Sequence, residues 1–535
     1  MQNLEISLLY PDIEALSKGV DGVDRAYIPT EVLEELQLTS IIDLKSGRLC
    51  DFFTKDIKVI EYRQRVFEDM MENPELCDLF ERVSPILLDI SEIRRLSQDT
   101  EASEGYLYSI TEIELYISAM ELLSEGLYPM MGKFKSEALV ALAERIKELT
   151  ESDYYKDLNV KLKELTSRIS EVKSVTIGVN LNSQLRPEYA GVLSVNNEKF
   201  KSGELLEKIL RLDFRTNEYT CISSLIPFKK GQSDNQQTAL TNAFNGALAN
   251  VFKTSMRSWR RVIQTYVLEN ADFLIKLMPE MEFIVRGTEL LNKFKNSENS
   301  YCFPKMKPME EKAFDVKGIY NPVVASKVDA KMVTNDFAFD ENGRFYVLSG
   351  PNRGGKSVIT CSIGHVFALA QLGLAVSAEE AVISPVDAIF THFPTGSEDT
   401  IDKGRLGEEC ARLDDIFDKV TENSLVLLDE SLSSTGSFEG AYIASEVLCG
   451  FSMVGCRGIF STHLHELSAM IDEINEKCSA DGGAKIDTLV AGMNNGQRSF
   501  KILRAKPDGK SYARDIANKY GISLEHILKK IQKNN

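Results

Sequence analysis

Gly350-Pro351-Asn352-Arg353-Gly354-Gly355-Lys356-Ser357 fits the pattern GxxxxGK[ST], and it stands between a strand-like run, Phe345–Ser349, and a helix-like run, Val358–Leu374. These residue types at this spacing suit the binding of a nucleoside triphosphate. Small residues let successive backbone N–H groups turn toward phosphate oxygens, and the N-terminus of the following helix adds its positive end. The Lys356 ammonium is placed to reach the β- and γ-phosphates, and the Ser357 hydroxyl to ligate Mg²⁺.

A second group of residues completes this chemistry. Ser424-Leu-Val-Leu-Leu-Asp429-Glu430 is an apolar strand ending in two carboxylates. Asp429 is placed to hold the metal directly or through water, and Glu430 to orient or deprotonate the attacking water. A further strand, Arg457–Thr462, ends at His463, an imidazole that a neighbouring strand can bring toward the γ-phosphate as a sensor or hydrogen-bond donor. Singly, each has a bland reading: a solvated strand end, or a satisfied polar side chain. In this order on three strands they favour phosphoryl chemistry. His463-Leu-His465-Glu466 also invites a zinc reading, but two histidines at i and i+2 leaving a strand cannot make the HExxH helix face, and the sequence has no CxxC pair.

The elements that must position these groups follow from pattern. From about residue 300, short apolar runs (Arg344–Ser349, Ser424–Leu428, Gly458–Ser461) alternate with helical stretches, as in a parallel sheet with crossover helices. Residues 1–125 read as mostly helical, with Val59–Met71 and Glu75–Leu96 the clearest segments. Apolar residues keep helical spacing across 134–172, a span of about 50–60 Å if continuous, with a bend or break expected near Asp153-Tyr154-Tyr155. The period then becomes two: Val175–Leu181 and Gly191–Val195 read as strands around a turn with Arg186-Pro187, before helical pattern returns over Gln236–Phe294. This is helix out, small β tip, helix back. It suits an ordinary α/β subdomain and equally a pair of levers carrying a distal contact element.

Composition bounds the rest. The 535 residues are 43% hydrophobic and 27% charged, as in a globular protein of several domains. A net charge of −18 argues against a general nucleic-acid- or membrane-binding surface, but not against one local basic groove. Nine cysteines without a paired motif, an N-terminus without a basic segment and apolar runs too short to span a bilayer lead us to expect a reduced, cytoplasmic protein with no membrane partner.

At this point the motifs carry a resemblance. The Gly350–Ser357 loop, Leu428-Asp-Glu with Ser433-Ser-Thr435, and Ser461-Thr-His-Leu-His-Glu-Leu467 resemble the ATPase domain of the MutS family, an ABC-class P-loop module. Tyr320-Asn-Pro-Val-Val324 and Asn335-Asp336 resemble that family's approach to the loop, and Ser511–Ala517 with Gly521 its C-terminal helical dimer-contact segment. Val59–Phe67 and the lever-like helices are similar, through less specific motifs, to its core. The resemblance implies a multi-domain chain: a mostly α-helical core at 1–125, long lever helices with a small β-containing tip at 126–300, and an α/β P-loop ATPase domain at 301–535. It implies ATP/ADP and Mg²⁺ as cofactors, with Gly350, Pro351, Asn352, Arg353, Gly354, Gly355, Lys356 and Ser357 on the nucleotide, and Ser357 and Asp429 on the metal. Glu430 is implied as the catalytic carboxylate, His463 as the switch histidine and Asn352 as a second group on the reacting water. It also implies a homodimer with composite ATP sites, whose levers couple nucleotide state to a grip on DNA.

Three departures shape the expectation. With the P-loop at 350, little room precedes the core for a mismatch-reading domain. The sole Phe-x-Glu, Phe339-Asp-Glu341, sits just before the P-loop strand rather than in such a domain, so no mismatch reading is expected. The segment acting across the dimer should lie at Thr400–Cys410, where Lys403-Gly-Arg405 and Glu408-Glu409 replace the family's serine-rich pattern. The chain ends at Asn535 without a small nuclease-like domain, which would separate it from the MutS2-type paralogues.

The load is less legible than the motor. Residues 235–268 contain Lys253, Arg257, Arg260 and Arg261, with Trp259 among them, and Lys253, Arg257 and Arg261 share one helix face. They read as a phosphate-tracking face, or as cations that meet acids elsewhere or solvent. Two functions remain open: an ATP-driven clamp on structured or branched DNA in repair or recombination, and remodelling of a non-DNA target such as a ribosome or protein complex.

Overall fold

The computed structural model describes residues 6–45, 47–98, 105–171, 173–185, 187–198, 226–227, 268–328, 331–351, 353–393, 404–494 and 497–506, with a few positions between 522 and 531. It divides into two compact units: 1–6, 74–134 and 139–281 in one, and 7–73, 135–138 and 282–535 in the other.

The first unit is helical with a small sheet. Helices Glu75–Gln98 and Gly105–Leu127 pack through Leu79, Phe80, Val83, Tyr116, Met120 and Leu123, all buried. Gly126 permits the approach, since a Cβ there would lie 2.5 Å from Leu79. The helical pattern over 134–172 forms two helices, Glu137–Glu151 and Asp153–Glu171. They part at Ser152, whose Oγ accepts from Tyr155 N and donates to Leu149 O, so a local cap interrupts the continuous apolar stripe. The tip contains β1 (Ser174–Leu181) antiparallel to β2 (Pro187–Asn196), with β3 (Ile226–Pro227) beside β2. Pro187 opens β2 instead of sitting in the turn, and Arg186 lies outside the described residues. Of the helical pattern over 236–294, the described part is the helix Leu268–Asn296.

The second unit holds two sheets. The smaller orders β4 (Lys305–Met306), β8 (Glu380–Ile383), β5 (Phe314–Ile319) and β6 (Asn335–Phe339). The larger runs β13 (Gln497–Arg504), β12 (Ile486–Asn494), β7 (Phe345–Ser349), β11 (Arg457–Ser461), β10 (Leu425–Asp429) and β9 (Ile389–His392). Its strands are parallel from β12 to β9, and β13 is antiparallel to β12. Every residue of β7, β10 and β11 is buried, because helices cover both faces. That is why these strands read as unbroken apolar runs. Helix Lys356–Gln371 packs on β10 and β11, while Ser437–Val454 and His465–Ser479 share a core with Phe345, Val347, Val426, Leu428 and Phe460. Phe339 lies in this unit's aromatic core, 5% exposed against Phe314, Phe337 and Tyr346, so its ring is not available as a wedge.

Residues 7–73 are built into the same unit. Tyr27 N donates to Asp387 O and Ile389 N to Tyr27 O, so the chain extends the sheet beside β9. The buried His365 ring lies 2.6 Å from Leu36 O, and Gln371 Nε2 donates to Thr54 O. Among the described residues no helix is long and apolar enough to cross a membrane.

Candidate functional site

Three neighbouring parallel strands, β7, β11 and β10, end at the same edge of the larger sheet, and each delivers one part of the site. After β7 the chain turns sharply: Gly350 has φ 142°, Arg353 φ 60° and Gly355 φ 96°. Close approach demands the small residues as well. A Cβ on Gly350 would lie 2.7 Å from Ala491 Cβ, and one on Gly354 would lie 2.8 Å from Pro351 O. The helix Lys356–Gln371 starts directly from this turn, with its first N–H groups facing the loop's concavity.

Lys356 is 4% exposed. Its Nζ donates to Gly350 O (3.2 Å) and Pro351 O (3.4 Å), folding the ammonium over its own loop. Burial lowers its pKa, and Glu430 and Asp429 oppose that shift. The same ammonium lies 3.2 Å from His463 Nε2, which in turn lies 2.8 Å from Glu430 Oε1. That nitrogen can donate to the carboxylate or accept from the ammonium, but not both at once. Glu430 itself has φ 52°, and its N–H donates to Ser461 O (2.8 Å), which ties it to the end of β11.

Asp429 ends β10 at 6% exposure. Burial raises the pKa of its carboxyl, while the hydroxyls of Ser357 and Ser461 favour the charged form. Its Oδ1 is buried without a hydrogen-bond partner. A hard-oxygen donor set with an unpartnered carboxylate oxygen beside a serine hydroxyl fits Mg²⁺. Asp429→Asn is expected to stabilise the nucleotide-free protein by about 1–3 kcal/mol, because a poorly satisfied buried charge is removed. A carboxyl whose native pKa is raised contributes stability below its unfolded value and loses it as pH rises through the native one, so the gain should be present at neutral pH and vanish in acid. Thermal melts across pH check this.

A cavity of about 470 Å³ opens beside the loop. Arg353, Lys356, Ser357 and Glu430 line its polar end; Val324, Val328, Met332, Val333, Ile359 and Phe500 make an apolar wall. Phe500, with φ 56°, is held in this rare conformation by Asn335, whose Nδ2 donates to Phe500 O and whose Oδ1 accepts from Ile502 N. The sequence marked 320–324 and 335–336 only by resemblance. Phe500 carried no signal, because its placement depends on the pairing of β13 with β12.

Of the residues singled out from sequence, Gly350, Pro351, Arg353, Gly354, Gly355, Lys356, Ser357, Asp429, Glu430 and His463 lie together here. Asn352 lies outside the described residues, as do Lys253, Arg257, Trp259, Arg260, Arg261, Thr400–Lys403 and Ser511–Gly521. The rest of the expected cross-dimer segment opens the helix Gly404–Phe417, where Glu409 accepts from Ser434 Oγ.

Comparison with known proteins yields two family models, MutS domain V over residues 346–532 and MutS2 N-terminal domain over 55–297. A DNA mismatch repair protein MutS of Fervidobacterium nodosum is 24% identical over 483 residues, 84% of this chain and 56% of that protein. One from Prochlorococcus marinus strain MIT 9301 is 33% identical over 242 residues, 43% of this chain and 25% of that protein. The Saccharomyces cerevisiae DNA mismatch repair protein MSH2 is 30% identical over 179 residues, 32% of this chain and 18% of that protein. The chain therefore spans about half the length of the first of these relatives and a quarter or less of the other two. The N-terminal match is to a MutS2 domain, a likeness to those paralogues that the expected separation at Asn535 did not anticipate. One model ends at residue 297 and the other begins within β7, in the order in which the motifs run, so the chain is similar to MutS-family proteins in both parts.

Proposed function

We propose that the chain is an ATPase of the MutS type that couples ATP binding and hydrolysis to clamping of DNA, branched or otherwise structured duplex rather than mismatched duplex. The observation that carries the reading is the contact chain Lys356–His463–Glu430 at the polar end of a nucleotide-sized cavity. In this account Gly350–Ser357 cradle the phosphates, with Lys356 exchanging its loop carbonyls for β- and γ-oxygens. Ser357 and Asp429 hold Mg²⁺, which when bound offsets phosphate charge. The apolar wall, with Phe500, takes the base and ribose. Water attacks the γ-phosphorus as the bond to the bridging β–γ oxygen breaks, and its proton passes to Glu430, oriented by His463. Asn352 is assigned to the reacting water by resemblance alone. A homodimer completes each ATP site, and the long helices carry its closure to the DNA.

A second reading, a ribosome or protein target, is favoured by the described β tip. Ile177, Val179 and Leu181 alternate along β1 and are exposed, as is Leu185, and Glu188 and Glu198 stand nearby in sequence. Such a surface suits a protein better than phosphates.

ATPase rates with linear duplex, branched duplex, single strands and ribosomes separate the two. Branched duplex is expected to stimulate most, with stimulation collapsing between about 50 and 200 mM salt as counterions compete. Stimulation by ribosomes alone would transfer the function to the second reading.

A further inference from the structure

The turn that follows β10 is held in an unfavourable shape. Glu430 (φ 52°) and Leu432 (φ 62°) both adopt the left-handed region, costly for side chains with a Cβ. Such a turn persists only where its surroundings over-determine it. Leu432 is fully buried, and Glu430 is tied through its N–H to Ser461. Between them Ser431, 2% exposed, meets an imidazole that the motif reading did not touch.

That imidazole is His392, the last residue of β9, level with Leu428 of β10 and 2% exposed. Ser431 Oγ donates to His392 O (3.1 Å) and lies 2.7 Å from His392 Nδ1. A hydroxyl has one proton, so both contacts are satisfied together when Oγ donates to the carbonyl and Nδ1 carries the ring proton. Burial, against the opposing effect of backbone hydrogen bonding at His392 and Glu409, pushes the His392 pKa down to about 4, which keeps the ring neutral. A phenylalanine would fill this space but lose the contact to Ser431. Behind it, Arg412 donates to Phe393 O and to Glu35 Oε1, fixing the end of β9 against the helix Gly404–Phe417.

We propose that His392 is a positioning residue: through Ser431 it holds the left-handed 430–432 turn, and so keeps the Glu430 carboxylate against His463. The proposal rests on the reading of Glu430 as the catalytic base. It assigns His392 no contact with nucleotide, metal or water. The clip joins the end of β9 to the turn just beyond β10, one residue past Glu430.

The test measures steady-state phosphate release and ATP affinity for the whole chain and its variants His392→Phe, His392→Asn, Ser431→Ala, Glu430→Ala and the double variant His392→Phe/Glu430→Ala. Displacing the carboxylate by a fraction of its working distance should lower kcat of His392→Phe about 10- to 100-fold, with ATP affinity unchanged. Asparagine, which keeps a donor near the Nδ1 position, should restore most of the rate, and Ser431→Ala should lose it. Adding His392→Phe to Glu430→Ala should cost nothing further, since both act through one group. Wild-type kcat in His392→Phe, or an equal fall in both backgrounds, overturns the proposal. If His392→Phe does not fold, Ser431→Ala decides, and full kcat there overturns it. Normal turnover by Glu430→Ala would instead remove the underlying catalytic assignment, an outcome recognisable by itself.

Discussion

Glu430→Ala is expected to bind ATP as tightly as the wild-type chain and to hydrolyse it about 10²- to 10⁴-fold more slowly, the range for loss of a positioned general base. The carboxylate lines the cavity, one residue beyond the buried Asp429, and accepts from His463 rather than supporting the loop's backbone. Its removal therefore leaves the phosphate cradle intact and takes away the proton acceptor. Single-turnover assays with trapped nucleotide separate the two effects: ATP should remain on the variant unhydrolysed. Normal turnover would show that the proton leaves by another route.

Lys356→Ala should act on binding. The ammonium makes charge-assisted hydrogen bonds, each contributing about 1.5–3 kcal/mol, so losing its phosphate contacts should weaken ATP binding about 10- to 100-fold or more. The nucleotide-free fold should survive, because the lysine's present partners, two loop carbonyls and the His463 ring, can be satisfied by entering solvent. Fluorescent-nucleotide titration checks this. Unchanged affinity would mean that the ammonium stays folded over its loop in the bound state.

What could be read from sequence was whatever is local. The Gly350–Ser357 turn is fixed by glycines within eight residues, and the carboxylates of Asp429 and Glu430 follow their own apolar strand, so both were legible. His463 was legible because strand order alone brings the ends of β7, β11 and β10 to one edge. The contacts that depend on register between distant strands were not. The His392–Ser431 clip exists because β9 pairs in step with β10, and Phe500 reaches the cavity because Asn335 of β6 grips β13. The place of residues 7–73 was hidden for the same reason: Tyr27, Leu36 and Thr54 join the second unit through backbone groups, which leave no mark on side-chain pattern. The break at Ser152 shows the reverse, a single capping side chain dividing an apolar stripe whose spacing runs on unbroken.

The claim beneath all of this is that the cradle after β7 takes a magnesium-bound nucleoside triphosphate. Calorimetric titration of the purified 535-residue chain with ATP, with and without Mg²⁺, tests it most directly. One saturable site per chain, tighter with Mg²⁺ and weakened in Lys356→Ala, is the predicted result. Heat changes indistinguishable from dilution under both conditions would contradict it.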